Sequence, residues 1–414
     1  MAAILEFKRK AKSRAKGGTR PRIGLALAGG GPLGAMYEIG ALAALEESIE
    51  GLDVNNADIY VGISAGGIIA SGLANGITPH EMCRIFIESD TAEADSPFYF
   101  RPEMLMKPAF KEFRSRLIAL PGLFATSMYR YLRRGGKSGL LESFEHMKEA
   151  IPTGILSGDG INDFLQAIFS LDKRTNDFRM LGHKLVIVAT DLDSGMAVDF
   201  GKPGWDHIPI SLAVQASAAV PGLFPPVEIN GRQFVDGALR KTMHASIALE
   251  EDLDVLFCLN PIVPYHSGTM HGPGRLAAGG LVNVLSQTLR AILHSRLEAG
   301  MANYEAMYPD TDIFLLQPSQ QDTEMFFTNI FSYSNRRRMC ENAYQNTRLM
   351  LWQQRDEIST RLARHGLRLK LQVLQDTSLT LVKKPVQARK GRFSVTALSD
   401  TLDKLDRYLK VANG

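Results

Sequence analysis

The chain has 414 residues, 45% hydrophobic, 22% charged and 8% aromatic, a composition that excludes wholesale disorder and fibrous repeats and supports a sizeable buried core. Its three cysteines, Cys83, Cys258 and Cys340, lie far apart with no Cys/His cluster at zinc-ligand spacing, which argues against a disulfide framework or a structural metal and suits a reducing compartment. The net charge of +3 hides two basic concentrations: residues 1–22 and residues 101–137 each balance at +7, which leaves −11 for the remainder.

Residues 1–20 read as a flexible basic arm able to attract an anionic surface. The apolar run Ile23 to Ala28 follows. It flows into a glycine loop and not into a cleavage site, so it predicts a first strand and not a secretory leader. Gly29-Gly30-Gly31-Pro32-Leu33-Gly34 forms that loop, and Pro32 suits the first turn of a helix because its missing N–H would have no partner there. Apolar residues at helical spacing then run from Ala35 to Glu47. Ile59 to Ile63 predicts a second strand, followed by Ser64-Ala65-Gly66 and a small-residue helix from Gly67 to Ala74. The strand–turn–helix unit thus occurs twice.

Residues 90–155 carry no strand signal. Met106, Phe110, Phe113 and Leu117 recur there at helical intervals beside Lys107, Lys111 and Arg114, which predicts a helical insertion. Later strands are expected at Lys184 to Thr190, Met196 to Phe200, Gln233 to Val235, Val255 to Leu259 and Ile313 to Leu316. A long helical pattern covers Arg336 to Arg364, and a mixed tail follows from Gly366. Alternating strands and helices predict an α/β fold, a three-layer α/β/α sandwich with a mostly parallel central sheet. It would occupy residues 21–320, with the insertion at about 90–155 and a helical C-terminal extension over 321–414. No apolar run reaches the roughly 18 residues a membrane span needs.

Gly62-Ile63-Ser64-Ala65-Gly66 is a GxSxG sequence between a predicted strand and a predicted helix. Small neighbours let the chain turn sharply there and expose a serine Oγ at the carboxyl edge of the sheet. The helix that follows aims its positive end at a developing oxyanion. The 29–34 loop opens on the same edge, where bare backbone amides can face a ligand oxygen. Gly29, Gly31 and Gly34 also satisfy the GxGxxG pattern of dinucleotide sites, so a nucleotide-dependent enzyme is an alternative. Against it, the second strand ends in Gly62-Ile63-Ser64 and offers no acidic residue for a ribose.

A serine nucleophile needs a base. Asp236, in Val235-Asp236-Gly237-Ala238, closes a short predicted strand where small neighbours would let a carboxylate approach; a plain Asp-Gly turn is the other reading. His244, His266, His271 and His294 all follow Asp236, as the chain order of an α/β-hydrolase triad requires.

Taken together, GLALAGGGPLGAMYEIGAL (24–42), GISAG (62–66), ATDLDSG (189–195), ASAAVPGLFPPV (216–227) and VDGA (235–238) resemble, in their order, the motifs of the patatin-like phospholipase family of serine acyl hydrolases. The resemblance spans about residues 20–320. It implies a Ser64–Asp236 dyad without histidine, a lipid ester substrate such as a glycerophospholipid, and an acyl-enzyme intermediate. It implies an oxyanion hole of Gly30 and Gly31 with neighbouring amides at Gly29, Gly34 and Ala65. No metal or organic cofactor and no nucleic-acid partner is expected. The family often carries Arg or Lys where this chain has Leu33, so weakened activity, or a non-catalytic lipid-binding role, is a further alternative. Lys107, Phe110, Lys111, Phe113 and Arg114 are candidate contacts with an anionic membrane, and the expected location is cytoplasmic with peripheral membrane contact.

Overall fold

The computed structural model describes residues 20–87, 151–266, 275–322 and 333–382, with most positions of 107–122. All elements below fall within the larger of two compact units, Met1–Leu381. Strand β1 (Ile23–Leu27) is buried throughout, as expected of a continuous apolar run covered on both faces. It pairs in parallel with β3 (Ile59–Gly62) on one side and β8 (Val255–Leu259) on the other. Beyond these, β4 (Lys184–Asp191) and β9 (Asp312–Leu316) extend the parallel core.

Antiparallel strands finish one edge. β5 (Ala197–Phe200) and β7 (Arg232–Asp236) both pair with β4, and β6 (Val227–Ile229) pairs with β7. The order is β6-β7-β4-β3-β1-β8-β9, with β5 off this path. A separate two-stranded ladder joins β2 (Ile49–Glu50) to β10 (Arg368–Leu369).

Helices cover both faces, as the alternation predicts. On one face, Ala26, Val61, Val188 and Cys258 pack against α6 (Ala245–Leu249) and against Leu293, Leu297 and Met301 of α8 (Gly280–Met307). On the other lie α1 (Gly31–Ser48) and α2 (Ala65–Ala74), where Gly67 of α2 sits over Ile187. α9 (Tyr333–Gln353) lies along α1 at very short range: a Cβ added to Gly40 would stand 2.4 Å from the Cys340 carbonyl oxygen. The expected single helix over 336–364 is two, because Gln354 leaves helical dihedrals (φ −103°, ψ 17°) before α10 (Arg355–Ala363).

Of the 90–155 insertion, described helical positions begin at Phe110. The strand-like entry to it is tied down by Ala109 N–H donating to the Ile155 carbonyl at 3.1 Å. Phe110 is 73% exposed, Lys107 and Arg114 are exposed and Phe113 is half-buried. Met106, Lys111 and Leu117 lie outside the described residues. Among the described residues, no helix is long and apolar enough to cross a membrane.

Candidate active site

Two loops meet at the carboxyl ends of β1 and β3. The turn from β3 into α2 places Ser64 at φ 54°, ψ −123°, a left-handed conformation that side chains rarely adopt and that persists only where surroundings impose it. The flanking glycines impose it. A Cβ on Gly66 would stand 2.4 Å from the Leu27 carbonyl oxygen, and one on Gly62 would stand 2.6 Å from the Gly66 carbonyl oxygen. Only glycine lets this backbone fold so tightly against β1. The strand–turn–helix context that a GxSxG sequence requires is therefore present, with α2 starting at Ala65, two residues earlier than its periodicity suggests.

Ser64 is also held from below. Its buried backbone N–H donates to Ser217 Oγ at 2.8 Å, and that hydroxyl donates in turn to the Val188 carbonyl at 2.6 Å. Ser217 ends α5 (Ile210–Ser217), inside the ASAAVPG stretch. Its part in the site escapes sequence reasoning, because a serine in a run of small residues carries no chemical signature of its own.

Asp236 ends β7 in register with Ala189 of β4. Three backbone links fix it: its N–H donates to Ala219 O at 3.0 Å, its carbonyl accepts from Thr190 Oγ1 at 3.1 Å, and its Oδ1 accepts from Ala238 N–H at 2.8 Å. The last is the Asx-type closure that an Asp-Gly turn favours. The Ser64 side chain lies within electrostatic reach of this carboxylate. Burial pushes its pKa up to about 6, against the opposing pull of the Ala238 hydrogen bond and the Ser64 side chain, because a dry site disfavours the charged form.

The histidines stand elsewhere. His244 stands at the N-cap of α6 in a left-handed conformation (φ 47°), with no side-chain capping bond. Its pKa is lowered to about 4, chiefly by burial. His294 contacts Gln320 at 3.1 Å and Glu298 at 3.3 Å, and His266 is exposed. His271 lies outside the described residues.

The glycine loop passes directly over the serine. A Cβ on Gly29 would stand 3.0 Å from the Ser64 Cβ. Gly30 and Gly31 take φ 147° and 61°, and α1 begins at Gly31, earlier than the Ala35 expected, with Pro32 in its first turn. First-turn amides of a helix have no partner within it; α2 starts at Ala65, directly after the serine, and α1 at Gly31, two residues after Gly29. Gly34 N–H donates to the Gly30 carbonyl at 3.1 Å and braces the loop. Leu33 is half-buried in that turn.

The ATDLDSG stretch supplies a brace. Asp191 accepts from Ser194 N–H at 2.8 Å and from Arg232 at 2.5 Å, which joins β4 to β7 beside Asp236.

Residues 25–249 match the Patatin-like phospholipase family model, more than half of the chain, and the chain belongs to this family. Among solved structures it is similar to VipD from Legionella pneumophila, at 17% identity over 80% of this chain and 66% of that one, with a TM-score of 0.37. It is also similar to the type III effector ExoU, at 13% identity over 84% of this chain and 60% of that one, with a TM-score of 0.31. A full-length ExoU–SpcU complex from Pseudomonas aeruginosa matches at 14% identity, over 73% and 62%, with a TM-score of 0.25. The chain spans about two thirds or less of each of these structures.

Proposed function

We propose that the protein is a lipid acyl hydrolase that cleaves carboxylic esters of glycerophospholipids through Ser64 and Asp236. Ser64 Oγ attacks the ester carbonyl while Asp236 takes its proton. The tetrahedral oxyanion is held by amides of the Gly29–Gly31 loop and of Ala65. Collapse expels the lysolipid alkoxide, which leaves with the proton held on Asp236, and the acyl group stays on Ser64. Water then attacks that ester with Asp236 as base, and the fatty acid departs.

The observation that carries this reading is a buried Asp236 carboxylate, raised in pKa by its burial and within electrostatic reach of the Ser64 side chain. An ordinary aspartate, with a pKa near 3.9, is a poor base for a hydroxyl. A pKa of about 6 makes it a better one, and a bound acyl chain that excludes water raises it further. The scheme needs no metal or organic cofactor. A nucleotide on the 29–34 loop gains no support, since β3 ends in Gly62 with no ribose-binding acid and Ser64 packs against Gly29. The Phe110 surface with Lys107 and Arg114 supplies a membrane contact in this reading, consistent with a cytoplasmic enzyme that works at a membrane surface. Covalent labelling by a fluorophosphonate tests the activated serine: labelling that Ser64→Ala removes supports it, and an unlabelled native protein contradicts it.

A further inference from the structure

Helix α8 carries an apolar series in steps of four, Leu281, Leu285, Leu289, Leu293, Leu297 and Met301, whose two halves meet different surroundings. Leu293, Leu297 and Met301 point into the core under the sheet. In its N-terminal half Leu281, Leu285, Leu289 and Ile292, spaced four, four and three apart, form a stripe open to solvent at 72%, 58%, 40% and 51% exposure. A contiguous apolar stripe of this kind marks an interaction surface, and four such side chains on one helix exceed Phe110, the one exposed large aromatic among the described residues.

The surroundings of the stripe specify its occupant. From Val255 to Leu297 the sequence holds no Asp or Glu, so the helix presents its stripe without a repelling carboxylate until Glu298. Arg296, exposed on α8, donates to the carbonyls of Leu239 at 3.1 Å and Arg240 at 2.6 Å. This ties α8 to the turn that follows Asp236, where Leu239, Arg240 and Lys241 are all exposed. An apolar stripe that leads through Arg296 to a loop carrying exposed Arg240 and Lys241, next to the reacting carboxylate, has the chemistry of an interfacial helix lying in lipid headgroups.

We infer that the exposed face of α8, with Arg240 and Lys241 at its edge, docks on an anionic phospholipid bilayer and sets the Asp236 loop at the lipid surface. This deepens the lipid-hydrolase reading and rests on it for its purpose.

The test uses full-length protein carrying Ser64→Ala, so that the lipid is not consumed, sedimented with phosphatidylcholine vesicles with or without phosphatidylserine. Binding is expected to rise with phosphatidylserine and fall with added salt. The triple replacement Leu285→Gln, Leu289→Gln, Ile292→Gln is expected to lower the partition coefficient at least about tenfold. In the active enzyme the same three changes leave turnover of a water-soluble nitrophenyl ester unchanged, which also shows that the fold is intact. Equal partitioning of parent and triple variant overturns the inference. So does a lipid-free dimer that the three changes dissociate, because the stripe is then a contact between two copies. If the native enzyme binds vesicles through α8 yet turns over no soluble ester, the docking face stands and the hydrolase reading falls.

Discussion

The backbone N–H of Ser64 is held by the side chain of Ser217, 153 residues further along the chain, at 2.8 Å. Ser217 touches no reacting atom in the proposed scheme, yet it links the elbow to β4 through the Val188 carbonyl. Ser217→Ala leaves the buried Ser64 N–H and the Val188 carbonyl without their partner, which costs about 1–3 kcal/mol of stability. Denaturant unfolding reads that cost. The shifted elbow should also lower kcat about tenfold with KM nearly unchanged, since misplacement of a reacting group raises the barrier more than it weakens binding.

Activity should follow the ionisation of Asp236. Its pKa of about 6 places the rise of kcat/KM near pH 6 and not near pH 4, with a plateau above. Stability runs the other way. The folded state holds this proton more tightly than the unfolded chain, so stability falls as pH rises from 3.8 to about 6, by about 3 kcal/mol. Asp236→Asn removes the charge and keeps an acceptor for Ala238 N–H. It should therefore raise the melting temperature at neutral pH and lose most of that gain near pH 4. An equal shift at both pH values contradicts the assignment.

Gly29→Ala isolates crowding at the serine from damage to the fold. The new Cβ would press on Ser64 at 3.0 Å, a contact that a small shift of the serine side chain can relieve. The expected outcome is a folded protein whose soluble-ester turnover drops about tenfold or more. Gly66→Ala meets the Leu27 carbonyl at 2.4 Å and should cost at least about 1–3 kcal/mol in unfolding experiments.

Leu33 is the position at which the sequence resemblance implies weakened activity. Half-buried in the first turn of α1 beside the proposed oxyanion donors, it leaves charge stabilisation to backbone amides. Leu33→Arg should raise kcat about tenfold if a cation there can reach the oxyanion. A drop in kcat, with the fold intact by circular dichroism, would show that the leucine is itself matched to the site.

His244 is the remaining candidate base. Its left-handed backbone tolerates asparagine, so His244→Asn should fold and retain fatty-acid release within a few-fold. Loss of activity as complete as in Ser64→Ala would restore a histidine to the mechanism.

Much of this arrangement is legible in the sequence because it is local. Ile23 to Leu27, Ile59 to Gly62 and Val255 to Leu259 are apolar runs bounded by turn residues, and Gly62, Ser64 and Gly66 announce the tight turn. β2, β6 and β10, at two or three residues each, are too short to show a period. The starts of α1 and α2 were hidden by the glycines and small residues that begin them. Ser217, Thr190 and the Ala219 carbonyl were illegible for another reason: their contribution is a hydrogen bond to a backbone group that only the folded sheet brings near. The exposed half of the α8 stripe is illegible because it shares one spacing of four with the buried half, and the sequence does not say where along the helix the cover ends.

The pairing of Ser64 with Asp236 is tested most directly by fatty-acid release from phosphatidylcholine by Asp236→Asn at neutral pH, beside native protein and Ser64→Ala. A fall of at least about a hundredfold, in a variant that melts no lower than the parent, is the predicted result. Hydrolysis at the native rate would mean that another group takes the proton from Ser64.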